Sequence, residues 1–542
     1  MAYRNHGEAA DDGDTVTRDG IVIKPVYDSG DLAGIDPAEI ARPGEFPFTR
    51  GIFPPEHRPK SWRAEHYAGF GGAAESRERY AYLKRMGTSG GMSIALDMPT
   101  QVGLDSDHPL AEGEVGHVGV AIDTLADVEE LFAGDRLDQI GHVFCTANSI
   151  APIILAMIIV AAQRQGVSCD SFTVQLQNDS LKEYFARGTQ IYPVRDALRL
   201  SADTIEYCVR NLPEWSPLSI SGAHIRGAGA TALQELTYTI CDGLAYVEEV
   251  SRRGVDIDTL APNLELHFTV QMDLFEEVAK LRAARRIWAK LMRERFGASS
   301  DVAMAAWITT ATSGVTLTAQ EPLNNIIRTT TETIAAILGG ANNHRVASYD
   351  EALSIPTRDS AKVATRIPQI LTLEAALTST ADPLGGSYFV ESLTSELERR
   401  FWAEFATIEQ RGGAVASVED GYFFRNIVAS ALRFQEDLDS GAVTVVAVNR
   451  YQSEAADDVP VEIFESDPDA ERRQVERLRA VKARRDEAAV RTALAALAEA
   501  TARGDNVVPT VIDAVRAYAT IGEICDVWTK QFGTWDVAAN AL

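Results

Sequence analysis

His224 closes the segment Ser219-Ile220-Ser221-Gly222-Ala223-His224, in which small residues crowd the end of an apolar run and leave room above it for a ligand. A neutral imidazole in such a place can donate a hydrogen bond to a carbonyl oxygen. Judged locally, such a histidine is more often a satisfied core residue than a ligand contact. Arg187 follows Gln177 and the triplet Lys182-Glu183-Tyr184. Pointing inward, its planar fork suits a carboxylate; pointing outward, it is an ordinary surface ion pair. Tyr67 precedes Ala68-Gly69-Phe70, and nothing around it separates packing from chemistry. The chain has no Walker loop, no G-x-G-x-x-G turn after a strand, no G-x-S-x-G elbow and no H-E-x-x-H helix, so hydrolysis and hydride transfer lose ground.

These residues need a scaffold that gathers strand ends. Short apolar runs closed by a polar residue recur at 92–96, 119–123, 141–148, 172–177, 218–224, 264–268, 304–312 and 341–348, each followed by helical spacing. That alternation predicts an α/β fold, a (β/α)8 TIM barrel over about 73–370. Barrel sites lie at the C-terminal strand ends, so Asp97, Asp123, Asn148, Gln177 and His224 become candidates for one shared site. Residues 1–72 read as an N-terminal extended arm, loose to about residue 20 and then a proline-punctuated wrapping segment. The barrel domain is assigned to 73–390. A mostly helical C-terminal region covers 391–542, with a strand expected at 443–448 and a charged helix at 471–485.

With 51 Lys and Arg against 78 Asp and Glu, the formal charge is -27, which repels nucleic acid and anionic membrane surfaces. Five cysteines, Cys145, Cys169, Cys208, Cys241 and Cys525, are spaced like neither a disulfide framework nor a zinc site, so a reducing cytoplasm is expected. The apolar stretch 151–162 is too short to cross a bilayer as a helix and reads as a buried one.

The ordered series Tyr67-Ala68-Gly69-Phe70, Asp97-Met98-Pro99-Thr100, Asp105-Ser106-Asp107-His108-Pro109 and Gly116-His117-Val118-Gly119-Val120-Ala121-Ile122-Asp123 resembles the methylmalonyl-CoA mutase family. The match continues through Gln177-Asn178-Asp179, Ile191-Tyr192-Pro193, Glu277-Val278-Ala279-Lys280, Thr312-Ser313-Gly314, Asp350-Glu351-Ala352 and Asp382-Pro383-Leu384-Gly385-Gly386, and covers about residues 20–537. The family fold is a (β/α)8 barrel threaded by the pantetheine arm of an acyl-CoA and capped by a cobalamin domain. That domain's Asp-x-His-x-x-Gly motif is absent from this sequence. The resemblance therefore implies a large subunit of an adenosylcobalamin-dependent mutase, partnered by a small cobalamin-binding subunit and served by a G-protein chaperone.

By the same resemblance, His224 bonds the thioester carbonyl, Gln177 is its polar neighbour and Tyr67 presses on the adenosyl group. Arg187 holds a free carboxylate, with Ala223 and Gln175 also at the substrate. Glu351, Ala352, Met98, Gln101 and Gly314 face the cofactor. Relatives acting on isobutyryl- or 2-hydroxyisobutyryl-CoA have a neutral amide at the position of Arg187, so a dicarboxylic acyl-CoA is expected. Departures from the family pattern stand at Val102, Ala223, Gly227, Asn263, His267, Trp307, Thr309, Ala311 and Arg345. Ala223 replaces a tyrosine and widens the pocket, whereas Val102, Asn263 and Trp307 replace arginines. These changes imply altered substrate choice, with a monocarboxylic mutase or a catalytically silent paralogue as the rivals.

Overall fold

The computed structural model describes residues 15–57, 59, 63–65, 67–88, 91–453 and 460–536. In chain order, the strands of its parallel sheets are β1 Arg63–Glu65, β2 Tyr67–Ala68, β3 Met92–Ile94, β4 His142–Thr146, β5 Thr173–Gln177, β6 Leu218–Ser221, β7 Leu264–Val270, β8 Trp307–Thr312 and β9 Asn343–Arg345. Helices separate the strands from β3 onward, because a chain that starts its next strand parallel must first cross back over the sheet. The fold is mixed α/β, of the (β/α)8 class.

Two strand expectations fail. Residues 119–123 form no strand: Val120 makes a single bridge to Leu96, and β3 pairs directly with β4. A Cβ on Gly119 would lie 2.2 Å from the Leu96 carbonyl carbon, so only glycine permits the close approach beside this bridge. Residues 443–448 are a loop, braced in part by one side chain. Asn449 accepts from Val445 N–H at 2.8 Å and donates to the Val443 carbonyl at 2.7 Å. Conversely, β1 and β2 lie in the stretch assigned to the arm. Two or three residues show no period of their own, and only their pairing with β9 and β3 makes them strands.

The chain divides into two compact units. The first comprises residues 1–65, 221–245 and 256–464; the second comprises 66–220, 246–255 and 465–542. The helical region 391–542 is thus shared between them rather than standing alone.

In the first unit, β1, β9, β8 and β7 lie side by side. One face is covered by helices: His344 of β9 meets Thr310 of β8 at 2.8 Å and Thr333 of helix Asn325–Leu338 at 3.2 Å. The wrapping segment is tied down by buried Arg285, which donates to the Phe48 and Thr49 carbonyls, both at 3.0 Å.

In the second unit the order is β2-β3-β4-β5. Its core surrounds helix Ala151–Gln165, which is apolar on every side and packs against the C-terminal helices through residues such as Leu497, Val511 and Trp528. With its flank, the segment Asn148–Gln165 reaches the length and hydropathy of a membrane span, longer than the sequence reading allowed, but 83% of it is buried within the protein.

Candidate active site

In the second unit, the parallel register aligns Tyr67 with Ser93, Ser93 with Phe144 and Phe144 with Gln175. Residues paired in this way project from the same face, so the four form one row across the sheet. The Tyr67 and Phe144 rings meet edge-on with centroids 6.5 Å apart. Gln177, two residues past Gln175, points the same way. Both glutamines are buried, yet Nε2 of Gln175 and Oε1 of Gln177 have no hydrogen-bond partner among the described residues, nor does the Ser93 hydroxyl. Leaving such groups unpaired costs about 1–3 kcal/mol each. A face that keeps several is built for a polar ligand.

Arg187 lies beyond the short helix Leu181–Tyr184 and is 18% exposed. Its Nη1 donates to Thr189 Oγ1 at 3.3 Å and stands 3.6 Å from Glu183 Oε1. Glu183 is fully buried and also takes Lys182 Nζ at 2.5 Å and the Thr189 hydroxyl at 2.6 Å. Burial alone would raise its carboxyl, but the charges of Lys182 and Arg187 and these hydrogen bonds bring it below the ordinary value. A permanent carboxylate therefore positions Arg187.

Two of the polar strand-end candidates are consumed by loop bracing. Asp97 caps helix Met98–Gln101, accepting from Thr100 N–H at 3.0 Å and from Gly116 N–H at 2.7 Å. Burial pushes its carboxyl up to about 6. Asp123 accepts from Ser106 N–H at 2.6 Å and from Gln474 at 2.8 Å, and Asn148 accepts from Lys182 at 3.0 Å. Asp97 and Asp123 are thus spent on neighbouring turns, whereas the buried Asn148 amide nitrogen has no hydrogen-bond partner among the described residues. Met98 is exposed at the head of its helix, whereas Gln101 is buried and donates back to the Leu96 carbonyl at 2.6 Å.

In the first unit, Ser221 ends β6 and helix Gly222–Gly227 begins at once, carrying Ala223 and His224, both partly exposed. The His224 Nδ1 lies 3.0 Å from Ser221 Oγ. A Cβ on Gly222 would sit 2.3 Å from Thr239 Oγ1, so only glycine lets this helix approach so closely. Below it, Arg226 is fully buried, with Nη1 donating to the Ala230 carbonyl at 2.6 Å and Nη2 to Glu277 at 3.3 Å. Lys280 joins Glu235 at 2.5 Å and also Glu277. This buried set of paired charges fixes the helix that bears His224.

Gly314 begins the short helix after β8, and a Cβ there would stand 3.0 Å from Glu351 Oε1. Glu351 and Ala352 are open to solvent. Partial burial of the Glu351 carboxyl first, and the Asp350 charge next, raise it above its ordinary value. The bare backbone of Gly314 beside an acceptor suits a ligand hydroxyl. Beneath, buried Glu332 accepts from Ser313 N–H at 3.0 Å and meets Thr316 Oγ1 at 2.6 Å, holding the turn in place.

Strand alternation puts His267, Trp307, Thr309, Ala311 and Arg345 on the face of β7–β9 opposite the helices. Five departures from the family pattern thus share one surface. Gly227 is exposed, and Asn263 donates to the Thr259 carbonyl at 2.9 Å. Sequence reasoning missed Ser93, Phe144, Ser221 and Glu332. A serine three residues before a strand-end histidine was the one visible signal among them; the others depend on register or packing.

The family model described as methylmalonyl-CoA mutase matches residues 16–534. The 2-hydroxyisobutanoyl-CoA mutase large subunit of Aquincola tertiaricarbonis is 40% identical over 514 residues, 95% of this chain and 91% of that protein. Methylmalonyl-CoA mutase of Cereibacter sphaeroides is 40% identical over 518 residues, 95% of this chain and 72% of that protein. The mitochondrial human enzyme of that name is 39% identical over 518 residues, 95% of this chain and 68% of its own length.

Proposed function

The chain belongs to the methylmalonyl-CoA mutase family, and from that premise we propose that it is the large subunit of a mutase rearranging a dicarboxylic, methylmalonyl-like acyl-CoA. Its class is isomerase, an acyl-CoA mutase moving a group between adjacent carbons. The observation that carries the dicarboxylic reading is Arg187: a partly exposed guanidinium steadied by the buried Glu183 carboxylate, whose two described contacts both use Nη1. Such a fork suits a substrate carboxylate.

The other roles follow residue by residue. His224, held at Nδ1 by Ser221, presents Nε2 as a donor to the thioester carbonyl, stabilising charge that builds on that oxygen. Within the second unit, the buried amides of Gln175 and Gln177 offer polar groups to a ligand, and Tyr67 with Phe144 forms an aromatic wall that excludes water. Ala223 leaves space for a larger α-substituent. Adenosylcobalamin, when bound, supplies the radical that starts the rearrangement. Gly314, Glu351 and Ala352 would hold its ribose hydroxyls, with Glu351 accepting a hydrogen bond. Met98 would face it as an apolar contact, and Gln101 braces the turn beneath Met98. A small subunit, as the Aquincola relative's name implies for that protein, would bring the cobalamin.

The test mixes the chain with a cobalamin-binding small subunit and adenosylcobalamin and offers malonyl-type, simple branched and 2-hydroxy acyl-CoAs. An isomerised dicarboxylic product supports the reading. Turnover of monocarboxylic or hydroxyacyl substrates alone would overturn the role of Arg187, and cofactor binding without any turnover would favour a silent paralogue.

A further inference from the structure

Within the first unit, the arm begins as a small antiparallel hairpin, Thr15–Val16 against Val22–Ile23. Its turn is braced internally. Thr17 N–H donates to the Ile21 carbonyl at 2.9 Å, Thr17 Oγ1 accepts from Ile21 N–H at 3.2 Å, and Gly20, at φ 72°, donates to the Thr17 carbonyl at 2.9 Å. A turn stiffened in this way can present the side chains at its tip, Arg18 and Asp19, to a distant part of the chain.

Both reach the link that joins the His224 helix to helix Ala232–Arg252. Arg18 Nη2 donates to the Gly229 carbonyl at 3.2 Å and to the Ser430 carbonyl at 3.3 Å, with its guanidinium carbon 4.6 Å from the centre of the Phe434 ring. Asp19 Oδ2 accepts from Leu233 N–H at 3.0 Å, one of the donors that the first turn of a helix leaves without an internal partner. Arg226 Nη1 takes the next carbonyl of the link, that of Ala230, at 2.6 Å. Two guanidiniums thus sit on consecutive carbonyls. Burial first, and the charge of Arg226 next, bring Arg18 down to about 10, so it stays cationic at neutral pH. An apolar side chain over Phe434 would have closed the hairpin without burying a second like charge beside this link.

We propose that Arg18 and Asp19 are positioning residues for the reaction, fixing the far end of the helix that carries His224; the inference rests on the role given to His224 above. Helix Gly222–Gly227 spans fewer than two turns at about 3.6 residues per turn, so what holds its ends decides its tilt. At one end Ser221 meets the imidazole. At the other, Ala228 N–H donates to the His224 carbonyl at 2.9 Å, tying that residue to the link gripped by the hairpin. A shift of the link is passed to Nε2, and misplacing a reacting group by about 1 Å can cost on the order of 10²-fold in rate.

The test combines steady-state kinetics of the reconstituted enzyme with hydrogen–deuterium exchange of the full chain. Arg18→Ala should lower kcat about tenfold, leave KM unchanged and speed exchange in peptides covering 222–233. Asp19→Ala should act in the same direction, whereas Arg18→Lys, whose ammonium can still meet one carbonyl, should keep most of kcat. Arg18→Gln serves if the alanine variant does not fold. Wild-type kcat in Arg18→Ala overturns the proposal. A fall in kcat with a matching rise in KM and faster exchange throughout the chain overturns it too, since that is general destabilisation. Unchanged exchange at 222–233 refutes the clamp whatever the activity. No turnover of any acyl-CoA by the wild-type enzyme, with faster exchange at 222–233 in the variant, would instead remove the reading of His224 and leave only a mechanical clamp.

Discussion

Ser221 Oγ lies 3.0 Å from Nδ1 of His224, across the junction of β6 with helix Gly222–Gly227. For Nε2 to donate to a thioester carbonyl from a neutral ring, Nδ1 must accept, so the serine hydroxyl must be the donor. The pair sets both the tautomer and the tilt of the ring. Ser221→Ala is expected to lower kcat about tenfold with little change in KM, and His224→Ala to lower it by about 10² to 10³. Steady-state kinetics on the reconstituted enzyme decide the matter; a Ser221→Ala variant with wild-type kcat refutes the tautomer argument.

Arg187→Gln should cost dicarboxylic substrates roughly 2–5 kcal/mol in kcat/KM if the pair is desolvated, and monocarboxylic substrates far less. The comparison within one variant cancels any general loss of structure. Equal losses on the two substrate classes would mean that Arg187 only braces Glu183.

Glu332 gives a pH signature. Burial pushes its carboxyl from 4.5 up to about 8. The Thr316 hydroxyl already donates to the Ser313 carbonyl at 2.7 Å, so its contact with Glu332 is best satisfied by a proton on Glu332 Oε1. Above pH 4.5 the unfolded chain loses this proton while the folded chain keeps it. The stability contributed at low pH is therefore lost progressively as pH rises from about 4.5 to about 8, at most roughly 1.4 kcal/mol per pH unit. Glu332→Gln mimics the protonated acid, so thermal melts of the two proteins should agree near pH 5 and diverge by pH 8, with the variant more stable. Parallel melting curves across that range would sink the assignment.

Gly222→Ala tests the seat of His224. Its new Cβ would fall 2.3 Å from Thr239 Oγ1 and 3.0 Å from Glu235 Cγ, and the Thr239 hydroxyl is already committed to the Glu235 carbonyl at 2.6 Å. Overpacking of this kind costs about 1–3 kcal/mol. Denaturant unfolding should show that loss, and kcat should fall further than stability alone explains because the His224 helix must move. Wild-type stability in the variant would show that the contact yields freely.

The limits of legibility are physical. Helix Ala73–Arg85 and the buried helix from Ala151 announce themselves, one by its periodicity and the other by an unbroken apolar run. β1 and β2 do not, because strands of two or three residues owe their existence to partners far away in the chain. Gly119 to Asp123 carries a strand's composition, yet only Val120 bridges a neighbour, Leu96, and the ladder goes no further. Asp97 and Asp123 look like site residues at strand ends, and only the tertiary arrangement shows the backbone N–H groups of Thr100, Gly116 and Ser106 that consume them.

By itself, the sequence determined the fold class and the family, because these depend on apolar periodicity and on ordered local motifs. Tertiary structure alone decided which polar groups remain unpaired and which share a face. The register across β2 to β5 aligns Tyr67 with Gln175, and strand alternation gathers His267, Trp307, Thr309, Ala311 and Arg345 on one surface. Pairing between strands distant in sequence sets those neighbours, and no local pattern encodes it.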